Sequence, residues 1–501
     1  MATQSVPDLE VQDLDSEGHA TVTFRYDPRT QKLQVHHPQR ALSPKTSLLT
    51  KCMSPFLPAG YPSSVRPDYT PYQIYDSVQA FASTIAGLLA SRAVFVGMGV
   101  GSEDASLVTT MLLYIAQETI GRVATILFAY QFSQKIEAEV KFYRFFADIV
   151  NDIAFILDCL SPGLPLLGRI CTLCVSNACR AVCGVSGGSS KAILSSHFAR
   201  EGNIGELNAK DGSQETVVSL VGMWAGGLLV SKVQGTFETW CCLIPLLAMH
   251  LWANWKAVQS VRLTSLNKHR AVILFSALLQ GRAKGPNEVG EEEPILGLGK
   301  MFGGSNDQNA FQVGVSVTKF LQHLPGHVND SSRKYLYFAQ LLGVFQEEDY
   351  LLWWDGQSNQ GFVLLKESAK SETQAKAVCH LLRISMGLKA ATKTGKPSQQ
   401  HGPGQGPQEV FRDTPSPELN ILSSIPGKNL NVHDQSLHSH DALDPVVQLI
   451  IDTLREHRQE WQNMRDLIQR LGWDVNLTNL VRGPCHRIQV NGAPFENKKD
   501  R

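Results

Sequence analysis

The segment 211–232, DGSQETVVSLVGMWAGGLLVSK, raises the question on which the fold turns: soluble core or membrane. Its apolar part, TVVSLVGMWAGGLLVS (216–231), is bounded by Glu215 and Lys232. A second tract, TWCCLIPLLAMHLWANW (239–255), follows between Glu238 and Lys256. Each falls a little short of the roughly 20 apolar residues that cross a bilayer as one helix. Buried helices of a large soluble body would also read this way. Packed membrane helices are favoured by the small residues of GMWAGG, by Trp224, Trp240, Trp252 and Trp255 near segment ends, and by flanking Lys232 and Lys256. The expected class is mainly α: a multi-helix, membrane-embedded body followed by a small α+β C-terminal domain.

Working outward, helical periodicity runs from about Tyr72 to Gln280, with SPGLP (161–165) and GVSGGSS (184–190) as expected breaks. The helical body is placed at 56–282. Residues 1–55 form an appendage in which ATVTFRY and KLQVHH flank DPRT as a hairpin. The Gly- and acid-rich residues 283–310 read as a linker. Beyond it, YLLWWD and GFVLLK around GQSNQ predict a second hairpin, and SETQAKAVCHLLRISMGL predicts a helix. A low-complexity run, 390–441, is expected to be a disordered insertion. After it, DPVVQLIIDTLREHRQEWQNMRDLIQRLG is amphipathic, with Asp444 as N-cap, Pro445 at the first helical position and Gly472 as stop. Residues 311–389 and 442–501 together make the α+β domain.

Composition narrows the partners. Lys+Arg and Asp+Glu balance at 46 each, so no global field draws the chain to nucleic acid. The N-terminus MATQSVPDLEVQDLDSEGHA has neither a secretory h-region nor transit-peptide character and reads as cytosolic. The ten cysteines are scattered and several sit in apolar runs, as reduced core residues do. Cys171, Cys174, Cys179 and Cys183 are spaced too closely for two zinc-ligand pairs, and no metal is assigned. GVSGGSSK lacks the Gly-Lys-Ser/Thr ending of a phosphate loop, and no Gly-x-Ser-x-Gly nucleophile motif occurs. The residues identify neither a cofactor nor a catalytic group.

The polar residues inside the body are the candidate site. Asp211 with Gln214 resembles a capping box and Glu215 would complement the dipole of the helix that follows. His197, Arg200, Asn208 and Lys210 would then lie in the preceding helix end and loop, as a solvated loop or as an anion-binding set. Glu118 and Arg122 lie four apart, as do Arg144, Asp148 and Asp152. Exposed, such pairs contribute about 0.2 to 0.5 kcal/mol each, the reading favoured for Arg144. In buried helices the same groups need partners and could join His250, Asn254 and Arg270 in a central polar cluster.

Several ordered motifs carry a family likeness: LPAGYPSSVRPDYTPYQIYDSVQAFAST (57–84), ETIGRVATILFAY (118–130), FFADIVNDIAFILD (145–158), NAKDGSQETVVSLVGM (208–223) and HLWANWKAVQSVRLTSLNKHR (250–270). Together they resemble the root UVB sensitive family, also called the vitamin B6 photoprotection and homoeostasis family. The tail YLLWWDGQSNQGFVLLK is similar to that of an animal member. The resemblance implies a multi-helix membrane protein linked to vitamin B6 homeostasis, and it implies no reaction or catalytic residue. SSKAILSSHF (189–198) departs from the Thr-Arg segment of many members.

Three classes of function follow. The favoured one is a membrane protein that binds or transports a small polar molecule, which expects Glu118, Arg122, Asp148 and Lys210 to converge inside the body. A membrane-anchored adaptor, with a protein partner or a second family member, expects them scattered. An enzyme acting on a vitamin B6 vitamer or lipid expects a pocket with a perturbed acid or base; the chain leans away from an enzyme.

Overall fold

The structure is a computed structural model describing residues 9–14, 20–27, 32–36, 54–98, 107–200, 202–233, 235–296, 311–326, 331–394, 445–481 and 485–490. The chain divides into two compact units, residues 1–136 with 140–261, and residues 137–139 with 262–501. Three N-terminal strands, β1 (Leu9–Leu14), β2 (Ala20–Asp27) and β3 (Lys32–His36), pair antiparallel in that order. The sequence reading contains β2 and β3 but not β1.

The rest of the first unit is helical: α1 (Tyr69–Gly97), α2 (Leu107–Ala138), α3 (Val140–Leu160), α4 (Leu166–Phe198), α5 (Ile204–Lys232) and α6 (Thr236–Ser260). Among the described residues, four helices are long and apolar enough to cross a membrane: α1, residues Met111–Ala138 of α2, α4 and α6. The 239–255 tract lies in α6, whereas the 216–231 tract lies in α5, which is not one of the four.

Two expected boundaries are corrected. SPGLP does interrupt the helices, with a short 3-10 turn at Ser161–Gly163 and Pro165 as N-cap of α4. GVSGGSS does not. There α4 continues because packing against α3 holds it: Ser186 Oγ donates to the Tyr143 carbonyl at 2.8 Å and Gly187 lies against Ala147, while within α4 Ser190 Oγ donates back to the Ser186 carbonyl at 2.7 Å. Likewise α5 starts at Ile204, after Asn203 and a left-handed Gly202 (φ +77°). Asp211 therefore sits about two turns inside the helix and caps nothing.

Small residues bring α5 against α1. A Cβ on Gly222 would lie 3.0 Å from Thr84 Cβ, and one on Gly226 would lie 3.4 Å from Ile85 Cα. Glycines four apart on one face let two helix backbones approach closely.

The second unit has one continuous core. β4 (Ser265–Asn267) leads into α7 (Lys268–Leu279), and α8 (Pro286–Glu292) occupies part of the expected linker, whose residues 297–310 lie outside those described. β5 (Phe311–Val313), α9 (Val317–Gln322) and α10 (Ser331–Val344) precede the hairpin of β6 (Tyr350–Asp355) and β7 (Gln360–Lys366), which pairs antiparallel with Asn359 left-handed in its turn. α11 (Ser371–Thr394) follows, and the low-complexity run lies outside the described residues from 395 onward. α12 (Pro445–Arg470) begins at the expected proline; Asp444 lies outside the described residues. β8 (Asp474–Asn479) pairs parallel with β4, and β9 (Arg487–Ile488) joins β7.

The apolar face of α12 (Val447, Ile450, Leu454, Trp461, Met464 and Ile468) is buried in this core. It is thus a core helix and offers no free amphipathic surface to a partner. Inside the same core His380 of α11 stacks on His457 of α12, with centroids 5.1 Å apart. His380 Nδ1 meets the Tyr350 hydroxyl and its Nε2 meets Thr453 Oγ1, each at 3.1 Å, while His457 Nε2–H donates to the Lys376 carbonyl at 3.0 Å. Burial, with the positive charge of Arg383 and Lys376 behind it, pushes His457 down to about 3; burial and the neighbouring His457 hold His380 well below the usual histidine range.

Two outcomes are expected. Gly222→Leu should lower the thermal midpoint of the detergent-solubilised protein by an overpacking penalty of about 1 to 3 kcal/mol, whereas Gly227→Leu, with nothing within 4 Å, should not. Between the unfolded histidine value of about 6.5 and the depressed folded values, the unfolded chain binds protons that the folded one does not, so stability falls as pH drops through that window and levels off above it. Unfolding of the second unit followed from pH 7.5 to 5 should show this decline, and His457→Gln should flatten it.

Candidate ligand-binding site

The first unit contains a buried polar cluster built from three helices, each contributing residues at helical spacing. α1 presents Tyr72, Asp76 and Gln79; α3 presents Arg144, Asp148 and Asp152; α6 presents His250 and Asn254, and all eight are buried. Residues four apart share a helix face, so each set forms one polar line on an otherwise apolar helix.

Arg144 is the hub. Its Nη2 donates to Asp76 Oδ1 at 2.7 Å and to Gln79 Oε1 at 2.9 Å, its Nε donates to the Tyr72 hydroxyl at 3.2 Å, and its Nη1 donates to Asp148 Oδ1 at 3.2 Å. The i,i+4 pair with Asp148 is present, but it is buried and shared with α1. The expectation of an exposed pair is corrected on that ground, since a guanidinium deprived of water must find its partners within the protein.

Asp148 passes the network to α6. Its Oδ2 accepts from Gln79 Nε2 at 2.5 Å and from Asn254 Nδ2, which also donates to the Arg144 carbonyl at 3.3 Å. His250 stands between two carboxylates, with Nδ1 2.7 Å from Asp152 Oδ1 and Nε2 3.8 Å from Asp148 Oδ2. Donation of Nδ1–H to Asp152 leaves Nε2 facing the Gln79 amide nitrogen at 3.5 Å. Two buried acceptors of the cluster, Asp152 Oδ2 and Asn254 Oδ1, have no hydrogen-bond partner among the described residues. The arrangement can hold a proton between two carboxylates, or accept donors from a small polar molecule.

The other candidate residues lie elsewhere. Glu118 and Arg122 pair at 3.7 Å on α2, with the Arg122 side chain 80% exposed. Lys210 Nζ donates to the Pro55 carbonyl at 2.6 Å. The expected convergence of Glu118, Arg122 and Lys210 with Asp148 is therefore not found. Arg270 is separate too: it lies in α7 of the second unit, buried, with Nη1 3.4 Å from Glu293.

The polar block 197–215 acts chiefly as a clamp on residues 54–68. Glu206 accepts from the Ala59 amide at 2.7 Å, Gln214 donates to the Phe56 carbonyl at 2.6 Å, Arg200 donates to the Ser63 carbonyl at 3.3 Å, and His197 Nε2 lies 2.8 Å from Asp68. Asn208 is exposed. Asp211 takes a bond from Gln73 at 2.6 Å and, with Glu215, pairs with Lys191 at 2.8 and 2.7 Å. A segment with little regular secondary structure leaves backbone N–H and C=O groups unpaired; here Glu206 takes an amide, and Arg200, Lys210 and Gln214 take carbonyls.

Sequence reasoning missed Tyr72, Asp76 and Gln79. The signal was there, as polar residues at i, i+4 and i+7 within an apolar helix. Asp158, outside the candidate set, is buried and bound by Arg180 and by Ser176 Oγ.

Residues 43–282 match the family model of the vitamin B6 photo-protection and homoeostasis domain. The chain is similar to RUS family member 1 of Dictyostelium discoideum, 36% identical over 246 residues, which are 48% of this chain and 47% of that protein. It is also similar to protein root UVB sensitive 3 of Arabidopsis thaliana, 31% identical over 262 residues (52% of this chain, 59% of that one). Root UVB sensitive 2, chloroplastic, of the same plant is 24% identical over 246 residues, 49% and 56% of the two chains. The chain thus spans about half the length of the curated relatives it matches. No solved structure gives a significant match.

Replacing Arg144 with Ala should sharply reduce the yield of folded protein, because losing one partner of a buried ionic network costs about 3 to 5 kcal/mol. Arg122→Ala should stay within about 0.5 kcal/mol of wild type, as exposed pairs do. Thermal unfolding in detergent with quantified folded yield reads both.

Proposed function

We propose that this chain, whose residues 43–282 are a vitamin B6 photo-protection and homoeostasis domain of the root UVB sensitive family, is a membrane protein that binds and moves a small polar molecule through its buried cluster. The observation that carries this reading is the charge balance of the cluster: three carboxylates, Asp76, Asp148 and Asp152, face one guanidinium and one imidazole. They belong to a bundle in which four helices have the length and apolarity to cross a bilayer. An excess of buried negative charge is unfavourable in such surroundings unless a proton or a cationic group offsets it. With His250 neutral the set carries a net charge of −2, so a proton on His250 halves the excess and a ligand nitrogen bearing one removes the rest.

The two orphan acceptors extend the argument. Asp152 Oδ2 and Asn254 Oδ1 are suited to the N–H or O–H donors of a ligand. The ligand class is therefore a small molecule with hydroxyl groups and a protonatable nitrogen. The domain's name supports a vitamin B6 vitamer as the first one to try.

Uptake of radiolabelled pyridoxine into vesicles containing the purified full chain tests this. Asp152→Asn and His250→Gln preserve size and hydrogen-bonding capacity, so folded yield should hold. Their uptake should fall at least about tenfold, the weight of one charge-assisted hydrogen bond. Wild-type uptake no faster than that of protein-free vesicles would sink the proposal for this ligand class.

A further inference from the structure

Apart from the polar cluster, α2, α3 and α4 surround an apolar cavity of about 760 Å³. Phe128 of α2 and Phe146 of α3 both line it, with centroids 6.3 Å apart and planes 9° from parallel. Cys171, Cys174 and Cys179 of α4 complete a wall of carbon and sulfur. We infer that this cavity is a lateral binding site for one acyl chain of a membrane lipid.

Three observations carry the inference. The lining offers almost nothing to a polar ligand, whereas aromatic rings and cysteine sulfur suit a hydrocarbon chain through dispersion. Its volume falls within the range of about 300 to 1,000 Å³ typical of small-molecule sites. Two of its lining residues, Ile120 and Val175, are 42% and 52% exposed, so the cavity opens at the outer apolar surface of α2 and α4. Both helices are suited to crossing a membrane, which makes lipid the neighbour at that opening.

Two of the walls are fastened to each other by a specific contact. Asn177 Nδ2 donates to the Gln117 carbonyl at 2.6 Å, and a Cβ on Gly121 would lie 2.6 Å from that same nitrogen. This pin fixes α2 against α4 beside the cavity. The inference rests on the membrane reading of the helical body and is independent of what the polar cluster binds.

The test uses the purified full chain in phosphatidylcholine vesicles that contain a lipid with a photoactivatable diazirine in one acyl chain. Tyr143 and Val150 line the cavity but are only 6% and 9% exposed, so a lipid reaches them only from within it. Labelling mapped by mass spectrometry should appear at these two residues as well as at the outer face of α2, at Leu112 and Ile126. Ala178→Trp, which places an indole in the cavity and narrows it, should lower the inner labelling about tenfold, since excluding two methylene groups from an apolar site is worth a factor of that size. Outer labelling should be unchanged. Labelling of Leu112 and Ile126 without Tyr143 or Val150 in the wild type overturns the cavity site alone, and so does inner labelling that Ala178→Trp leaves intact in folded protein. Absence of labelling at all four positions overturns the membrane reading together with the site.

Discussion

Three helices of the body, α1, α3 and α6, are arranged around the need to satisfy one buried guanidinium. Arg144 sits among apolar helices, where an uncompensated charge is costly, and its donors are consumed by groups on two helices. Because Asp76, Gln79 and Tyr72 all belong to α1, the guanidinium fixes the rotation of α1 about its own axis. Asp148 then hands the constraint to α6 through Asn254. Three helices are thus locked by hydrogen-bond geometry, a directional restraint that apolar contact cannot supply.

The remaining helices are held by other means. Close glycine packing joins α5 to α1, and the Asn177 pin joins α2 to α4. The segment 54–68 has no regular secondary structure beyond a short turn, and it is held down by side chains from the end of α4 and the start of α5. Such a division suits a body in lipid, where hydrocarbon gives no net push between apolar helices and specificity comes from polar and close contacts.

Much of this was legible in the sequence, and the parts that were not have physical reasons. The helical body, the β6–β7 hairpin and α12 follow from periodicity and turn residues. Asp148, Asp152, His250 and Asn254 stand out as polar residues at four-residue spacing in apolar helices, and the fold brings these four together. Arg270 looked equivalent in sequence, but the chain has entered the second unit by then and Glu293 is its partner. Asp211 with Gln214 imitates a helix start because the cap pattern is short and local, whereas the turn at Gly202 is what begins α5. The run GVSGGSS reads as a break by propensity, and tertiary contact with α3 overrides it. Of the partners of Arg144 only Asp148 could be read from its own helix, since the other three come from a segment more than sixty residues away.

The most direct measurement of this account is a double-mutant cycle between Arg144→Met and Asp76→Leu, read as unfolding free energy in detergent. If the guanidinium network organises the body, Arg144→Met takes from buried Asp76 its guanidinium and Asp76→Leu takes from Arg144 one of its two carboxylates, so the double replacement is less damaging than the sum of the two, with a coupling of about 1 kcal/mol or more. Strictly additive losses would contradict it, and would mean that the two side chains do not meet in the folded protein.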